Sequence, residues 1–81
     1  MMHPDQIKQL VLAGMLCDHL ELDGDGQHFT ALVVSAEFVG MNRVQRQQRV
    51  YQTLTEKLAS GELHALSFKT LTPEEWSAQR G

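Results

Sequence analysis

The sequence predicts a small α+β domain in which a three-stranded mixed sheet has helices packed on one face. Three observations indicate this fold: one amphipathic helical pattern near the start, three short stretches with strand-type alternation, and a long helical pattern before the last strand. The order is helix, strand, strand, helix, strand, short helix. The first two strands should therefore form an antiparallel hairpin, and the last two should run parallel because a helix returns the chain. At 81 residues, we expect a single domain, 1–81.

The first helix is predicted to begin at Pro4, because proline fits the first turn of a helix. Its apolar stripe follows the spacing i, i+3, i+4, i+7 and i+8. The stripe consists of Ile7, Leu10, Val11, Gly14 and Met15. Glycine costs about 1 kcal/mol relative to alanine inside a helix, so Gly14 indicates either close packing or the helix end.

Two strands are predicted on either side of a glycine-rich turn. Leu20 and Leu22 alternate with polar residues, which is typical of a strand with one polar face. The turn 23–26 has the sequence DGDG, and the ligand pattern of an EF-hand calcium loop is absent beyond its two aspartates. The stretch Phe29–Ser35 is apolar on both faces. This second strand is therefore expected to be central, or covered on both sides.

A long helix is predicted from Arg43 to Ser60. Asn42 is suited to its N-cap, with Gln45 completing a variant of the capping box, and Gly61 is suited to the C′ position. The residues expected to face the core are Val44, Gln47 or Val50, Tyr51, Leu54 and Leu58.

The third strand follows Gly61, where alternation places His64, Leu66 and Phe68 on one face. The strand leads directly into the start of the final helix. Thr72 is predicted as the N-cap of that helix, Pro73 as its first residue, and Glu75 as the residue that completes a capping box. His64 is therefore expected on a rigid element near the edge of the domain.

Composition limits the classes of function. The net charge of −3 argues against bulk affinity for nucleic acid, and the single Cys17 excludes an internal disulfide framework. No apolar run approaches the ~20 residues of a membrane helix, and the first ten residues lack the pattern of a signal peptide. We expect a soluble, cytoplasmic protein with no membrane partner. The small size and the lack of a spaced nucleophile and base favour a binding or adaptor role over an enzyme.

Two histidines are candidate metal ligands. His28 lies where the glycine-rich loop meets a strand, and His64 lies at the start of another strand. Each could instead be a hydrogen-bonded structural residue. Two histidines are too few for a closed zinc site, but they suffice for half of a shared site, and a [2Fe–2S] cluster can take two histidines. His3 and His19 are expected at the solvated surface, and Cys17 in the core.

A basic stripe recurs every three residues along the long helix, at Arg43, Arg46 and Arg49. It can be a solvated helix face. It can also contact phosphate, because the guanidinium fork matches phosphate oxygens. No aromatic residues are interleaved with it, which weakens an interpretation as a single-strand binding surface.

Five segments carry a family resemblance, and they span almost the whole chain in the right order. They are residues 24–29 (GDGQHF), 38–44 (FVGMNRV), 47–51 (QQRVY), 64–70 (HALSFKT) and 72–76 (TPEEW). Together they resemble the BolA family, most closely its short IbaG-type branch. The resemblance implies a class II KH-like fold, in agreement with the element order.

The resemblance also implies a partner and a cofactor. The partner would be a cytosolic monothiol glutaredoxin, with a [2Fe–2S] cluster bridged between the two proteins. By resemblance, His64 matches the family's strand ligand and His28 matches its loop ligand. The other two ligands would be the cysteine of the glutaredoxin and the thiolate of glutathione. A homodimer of the free protein is left open.

Related members also act as transcription regulators through the KH-like surface, which makes DNA a second possible partner. Two departures weaken this role. Many members have Arg-His-Arg where this chain has Arg46, Gln47 and Gln48, and the Gly-x-x-Gly loop of nucleic-acid-binding KH domains is missing after Gly40.

Overall fold

The computed structural model describes the backbone of residues 2–25, 28–63 and 65–80. The regular elements are α1 (Pro4–Gly14), β1 (His19–Gly24), β2 (His28–Val34), a short 3₁₀ helix (Ala36–Phe38), α2 (Arg43–Gln52), α3 (Thr55–Ala59), β3 (Ala65–Leu71) and α4 (Pro73–Arg80). The strands form one sheet in the order β1-β2-β3. β1 pairs antiparallel with β2, and β2 pairs parallel with β3, so the predicted mixed α+β architecture is confirmed.

The core lies between one face of this sheet and the helices α1 and α2. β2 is the central strand, as predicted, and contributes Phe29, Ala31 and Val33 to the core. The buried helix and loop residues of the same cluster are Met2, Ile7, Val11, Met15, Phe38, Val50, Leu54 and Leu63. A fully buried aliphatic or aromatic side chain of this kind stabilises the fold by roughly 1.5–3 kcal/mol. Within the described ranges, no helix is long and apolar enough to cross a membrane.

The ends of α1 are fixed by its neighbours. His3, expected only as a solvated residue, is exposed but is also the N-cap: its Nδ1 accepts from the Asp5 N–H at 3.2 Å, and its own N–H donates to Gln6 Oε1 at 2.8 Å. At the other end, a Cβ on Gly14 would lie 2.7 Å from Thr53 Cγ2. Both predictions for Gly14 hold, because the residue ends the helix and allows the close approach of Thr53.

The single helix predicted from Arg43 to Ser60 is wrong, because the chain breaks it into α2 and α3. The Oγ1 and N–H of Thr53 donate to the Val50 carbonyl, at 2.6 and 3.0 Å. In a continuous helix that carbonyl would accept from Leu54. The Leu54 N–H donates instead to the Tyr51 carbonyl at 2.9 Å, so the turn tightens. A threonine side chain that competes for a backbone carbonyl explains the break.

The burial predicted for this region is partly corrected. Val50 and Leu54 are buried, whereas Tyr51 and Leu58 are half-buried. Val44 is 61% exposed, so its assignment to the core is wrong. It lies in the first turn of α2, ahead of the part of the helix that reaches the core.

Among the described residues, cover on the second face of the sheet is found only at the end where His19 lies. Val34 and Leu71 are buried but lie outside the main core cluster, on the opposite face from Val33. There the Trp76 ring of α4 stacks on His19 with centroids 4.9 Å apart. His19 is thus half-buried rather than solvated. Further along β2, Thr30 is exposed, so that strand is not covered on both sides throughout.

The outer edge of β3 faces α2, and two side chains of α2 reach its carbonyl groups. Arg46 Nη1 donates to the Thr70 carbonyl at 3.1 Å, and the Tyr51 hydroxyl lies 3.5 Å from the Leu66 carbonyl. Tyr51 also packs edge-on against Phe68. These contacts attach α2 to the edge strand.

Candidate functional site

The first candidate site lies at the end of the sheet where β2 begins. His28 is the first residue of β2 and is exposed. Its N–H donates to Asp25 Oδ1 at 2.9 Å, and its carbonyl accepts from the Asp25 N–H at 3.3 Å. No described residue forms a hydrogen bond or ion pair with the His28 imidazole. The backbone of His28 is therefore held in place while both ring nitrogens stay available to a ligand.

Close strand packing beside His28 depends on Gly24. A Cβ at Gly24 would lie 2.5 Å from the His28 carbonyl oxygen and 2.5 Å from Phe29 Cδ1. The Gly24 N–H also has a local partner, because it donates to Asp23 Oδ1 at 2.9 Å. Glycine at this position lets the hairpin close tightly, and this fixes where β2 starts.

His64, the other predicted ligand, lies outside the described residues. The chain on both sides of it is anchored. Before it, Leu63 is buried in the core and donates its N–H to the Lys57 carbonyl at 3.2 Å. After it, Ala65 is the parallel-sheet partner of His28. The sequence neighbour of His64 is therefore one strand spacing, about 4.8 Å, from the backbone of His28.

A further ion pair fixes the segment that precedes Leu63. Glu62 Oε2 accepts from Lys57 Nζ at 2.9 Å and from the Ser60 hydroxyl at 3.2 Å. The hydrogen bond from Lys57, and to a lesser extent that from Ser60, holds the pKa of the Glu62 carboxyl group below its usual range. Gly61 has a φ of 80°, as the predicted C′ position requires.

The structure does not bring Cys17 to this site. Cys17 is half-buried just before β1, at the other end of the sheet, and β2 alone spans about 20 Å between the two ends. Burial raises the pKa of its thiol, and the negative charges of Glu37 and Asp18 raise it further. Among the described residues, no group of three or more His, Cys, Asp or Glu could hold a metal ion.

The predicted arginine stripe is divided by the structure. Arg49 is held inside a network: its Nε donates to Glu37 Oε1 at 2.9 Å, and its Nη2 to the Gly14 carbonyl at 3.0 Å. Glu37 Oε2 also accepts from the Leu16 N–H at 2.6 Å. The hydrogen bond from the Leu16 N–H, and to a lesser extent the interaction with Arg49, lowers the pKa of the Glu37 carboxyl group. Arg49 therefore joins α2 to the end of α1 and to the 3₁₀ helix, and Glu37 extends this network to the loop after α1.

Arg46 is also committed to contacts within the chain. Besides Thr70, it contacts the Met41 carbonyl at 3.0 Å and Glu75 Oε1 at 2.7 Å, and its side chain is only 15% exposed. Glu75 also accepts from the Thr72 N–H, in the predicted capping box. Arg43, in contrast, is exposed and forms no ion pair with any described residue.

Sequence reasoning did not find two features of this arrangement. The stack of Trp76 on His19 and the pair of Glu37 with Arg49 join residues far apart in the chain. Local spacing carries no information about either contact. The capping box in 72–75 was the one part of these networks visible in the sequence.

The described geometry defines a class: a small α+β domain with a three-stranded mixed sheet and an exposed histidine at the start of its central strand. The family pattern described as BolA-like protein matches residues 13–75. The chain belongs to the BolA-like family.

Relatives match along most of the chain. The acid stress protein IbaG of Escherichia coli strain K12 is 37% identical over 79 residues, which cover 98% of this chain and 94% of that protein. The DNA-binding transcriptional regulator BolA of Haemophilus influenzae is 48% identical over 56 residues, 69% of this chain and 53% of that protein. The solved structure of a BolA homologue from Coxiella burnetii is similar with a TM-score of 0.80 and 36% identity, covering 95% of this chain and 99% of that one.

Proposed function

We propose that this protein is a non-enzymatic iron–sulfur adaptor that binds a monothiol glutaredoxin and shares a bridging [2Fe–2S] cluster with it. The observation that carries the proposal is the exposed His28 imidazole, which has no partner among the described residues although its backbone is fixed by Asp25. The register adds to it, because His28 pairs with Ala65, the residue next to His64. Membership of the BolA-like family supports the same pair of ligands.

The donor set fits such a cluster. A [2Fe–2S] cluster takes four ligands, and two of them can be histidines. His28 and His64 would provide two imidazole nitrogens, while the glutaredoxin cysteine and glutathione would provide two thiolates. The bound cluster would supply visible absorbance and one-electron chemistry. Because imidazole binds a metal only when neutral, the affinity of the complex should fall at acid pH.

The test is anaerobic reconstitution with a monothiol glutaredoxin, iron, sulfide and glutathione, followed by size exclusion with visible absorbance and circular dichroism. We expect a one-to-one coloured complex whose spectrum differs from that of the glutaredoxin homodimer. His64→Ala should change the spectrum strongly, and His28→Ala should change it or prevent the complex. The control is His3→Asn, which removes an imidazole but retains an N-cap acceptor. An unchanged spectrum with His64→Ala would rule out the ligand assignment.

A second function is suggested by the name of the Haemophilus influenzae relative, which is a DNA-binding transcriptional regulator. Binding to duplex DNA predicts a steep decrease of affinity with salt. The engaged side chains of Arg46 and Arg49 count against the helix stripe as the contact surface, and Arg43 alone stays available. DNA binding that is undetectable, or independent of salt, would remove this function.

A further inference from the structure

The outer edge of β1 is the free edge of the sheet within the described part of the chain. β1 is the first strand in the order β1-β2-β3, so only one of its two edges is paired. The opposite edge of the sheet, on β3, faces α2, whose Arg46 side chain donates to the Thr70 carbonyl. An exposed strand edge of the β1 kind is a surface to which another strand can add through main-chain hydrogen bonds.

The register identifies the backbone groups that point outward from β1. The Asp25 N–H donates to the His28 carbonyl at 3.3 Å, in step with the register of β1 and β2. Hydrogen-bonded pairs alternate with non-hydrogen-bonded pairs along an antiparallel ladder. Every second residue counted back from Asp25, including Glu21, therefore bonds to β2, whereas Leu20 and Leu22 turn their N–H and C=O groups outward. No described residue forms a hydrogen bond with these outward groups.

The side chains of β1 are compatible with a second copy of the same strand. A two-fold axis through Glu21, perpendicular to the sheet, places Leu20 of one copy opposite Leu22 of the other, and each such pair exchanges both backbone hydrogen bonds. The same axis places His19 opposite Asp23 of the second copy, where an imidazole N–H can donate to a carboxylate. The Nε2 of His19 contacts Glu21 of its own strand at 2.5 Å, which leaves Nδ1 for this contact. An axis through Leu22 would instead set Glu21 against Asp23 on both sides, and like charges directly opposite each other are destabilising.

We propose that two copies of this protein form a dimer in which their β1 strands pair antiparallel and join the two sheets into one continuous sheet. The contact is isologous, because both copies use the same strand, so assembly closes at two. Glu21 faces its own counterpart at the axis, and this like-charge pair keeps the association weak and dependent on concentration. The dimer is independent of the adaptor function, since neither His28 nor His64 lies on β1.

The test is analytical ultracentrifugation at protein concentrations up to the millimolar range, together with amide hydrogen exchange on the same samples. We expect a monomer–dimer equilibrium. Unbonded N–H groups exchange rapidly, so those of Leu20 and Leu22 should become protected as the dimer forms. A protein that stays monomeric throughout, or a dimer that leaves both amides unprotected, would overturn the proposal.

Three variants separate pairing of this edge from other forms of association. Leu22→Pro removes an outward N–H, and proline is tolerated on an edge strand in that orientation, so the variant should fold but not dimerise. Leu22→Ala keeps the N–H and should retain most of the dimer. Glu21→Gln removes the like charges at the axis and should strengthen dimerisation about fivefold. Equal loss of the dimer in both Leu22 variants, or unchanged or weaker dimerisation with Glu21→Gln, would reject this edge, and thermal unfolding checks that each variant keeps the fold.

Discussion

Glu37 connects three segments that are separate in sequence, and its removal should measurably destabilise the fold. One carboxylate oxygen accepts from the Leu16 N–H at 2.6 Å, and the other from Arg49 at 2.9 Å. Arg49 in turn donates to the carbonyl at the end of α1, on Gly14. Glu37→Ala removes both contacts of the carboxylate and leaves Arg49 with one partner fewer.

The expected cost follows from the strength and exposure of these contacts. A hydrogen bond to a charged group contributes about 1.5–3 kcal/mol when it is shielded. The side chains of Glu37 and Arg49 are 27% and 24% exposed, so solvent screening lowers this contribution. We therefore expect Glu37→Ala to lower the free energy of unfolding by about 2 kcal/mol at pH 7. For a domain of this size, the melting temperature should fall by roughly 8–16 °C.

The pH dependence gives a second check. The pKa of Glu37 is lowered in the folded state, so its stabilising contribution is complete above the ordinary carboxyl pKa of 4.5. The contribution is lost as the pH falls through the folded-state pKa. The difference in unfolding free energy between the unmodified protein and Glu37→Gln should therefore narrow below about pH 4.5. Urea denaturation at pH 7, 5 and 3.5 measures it.

Glu56→Gln is the matched control, because Glu56 is exposed and its side chain makes no hydrogen bond or ion pair with a described residue. It should change the unfolding free energy by less than about 0.5 kcal/mol. A similarly small cost for Glu37→Ala, or a cost that stays constant with pH, would refute the role of the Glu37 network.

Three further tests concern the packing and the thiol environment. Gly24→Ala should cost about 1–3 kcal/mol in urea denaturation, because the new Cβ would meet a backbone oxygen at 2.5 Å. Val50→Ala should cost about 2–4 kcal/mol, whereas Val44→Ala, at an exposed position, should cost less than about 0.5 kcal/mol. Glu37→Gln should lower the pKa of Cys17, which a disulfide-exchange reagent detects as faster reaction at a given pH.

The parts of the fold that were predictable depend on local sequence. Asn42 with Gln45, and Thr72 with Glu75, form the capping boxes that their spacing indicates. The directions of the strands followed from chain connectivity, since a helix that returns the chain between two strands makes them parallel. The candidate residue His28 was also placed correctly at the start of a strand, although its role as a ligand stays a prediction.

The parts that were not predictable depend on contacts between distant residues. The break after α2 arises because a Thr53 hydroxyl competes for a carbonyl, and apolar periodicity does not detect that competition. The basic stripe looked uniform in sequence, but Arg46 and Arg49 find acidic partners 29 and 12 residues away.

The way α2 lies along the edge of β3 affects how the protein behaves at high concentration. An uncovered edge strand offers its carbonyl and amide groups to another chain, and this is a common route to aggregation. Here the carbonyl of Thr70 already accepts a hydrogen bond from Arg46. The Tyr51 hydroxyl lies next to the carbonyl of Leu66. Another polypeptide would have to displace both side chains before it could extend the sheet. The side chains that hold the helix in place therefore also hinder the growth of intermolecular β-structure from this edge.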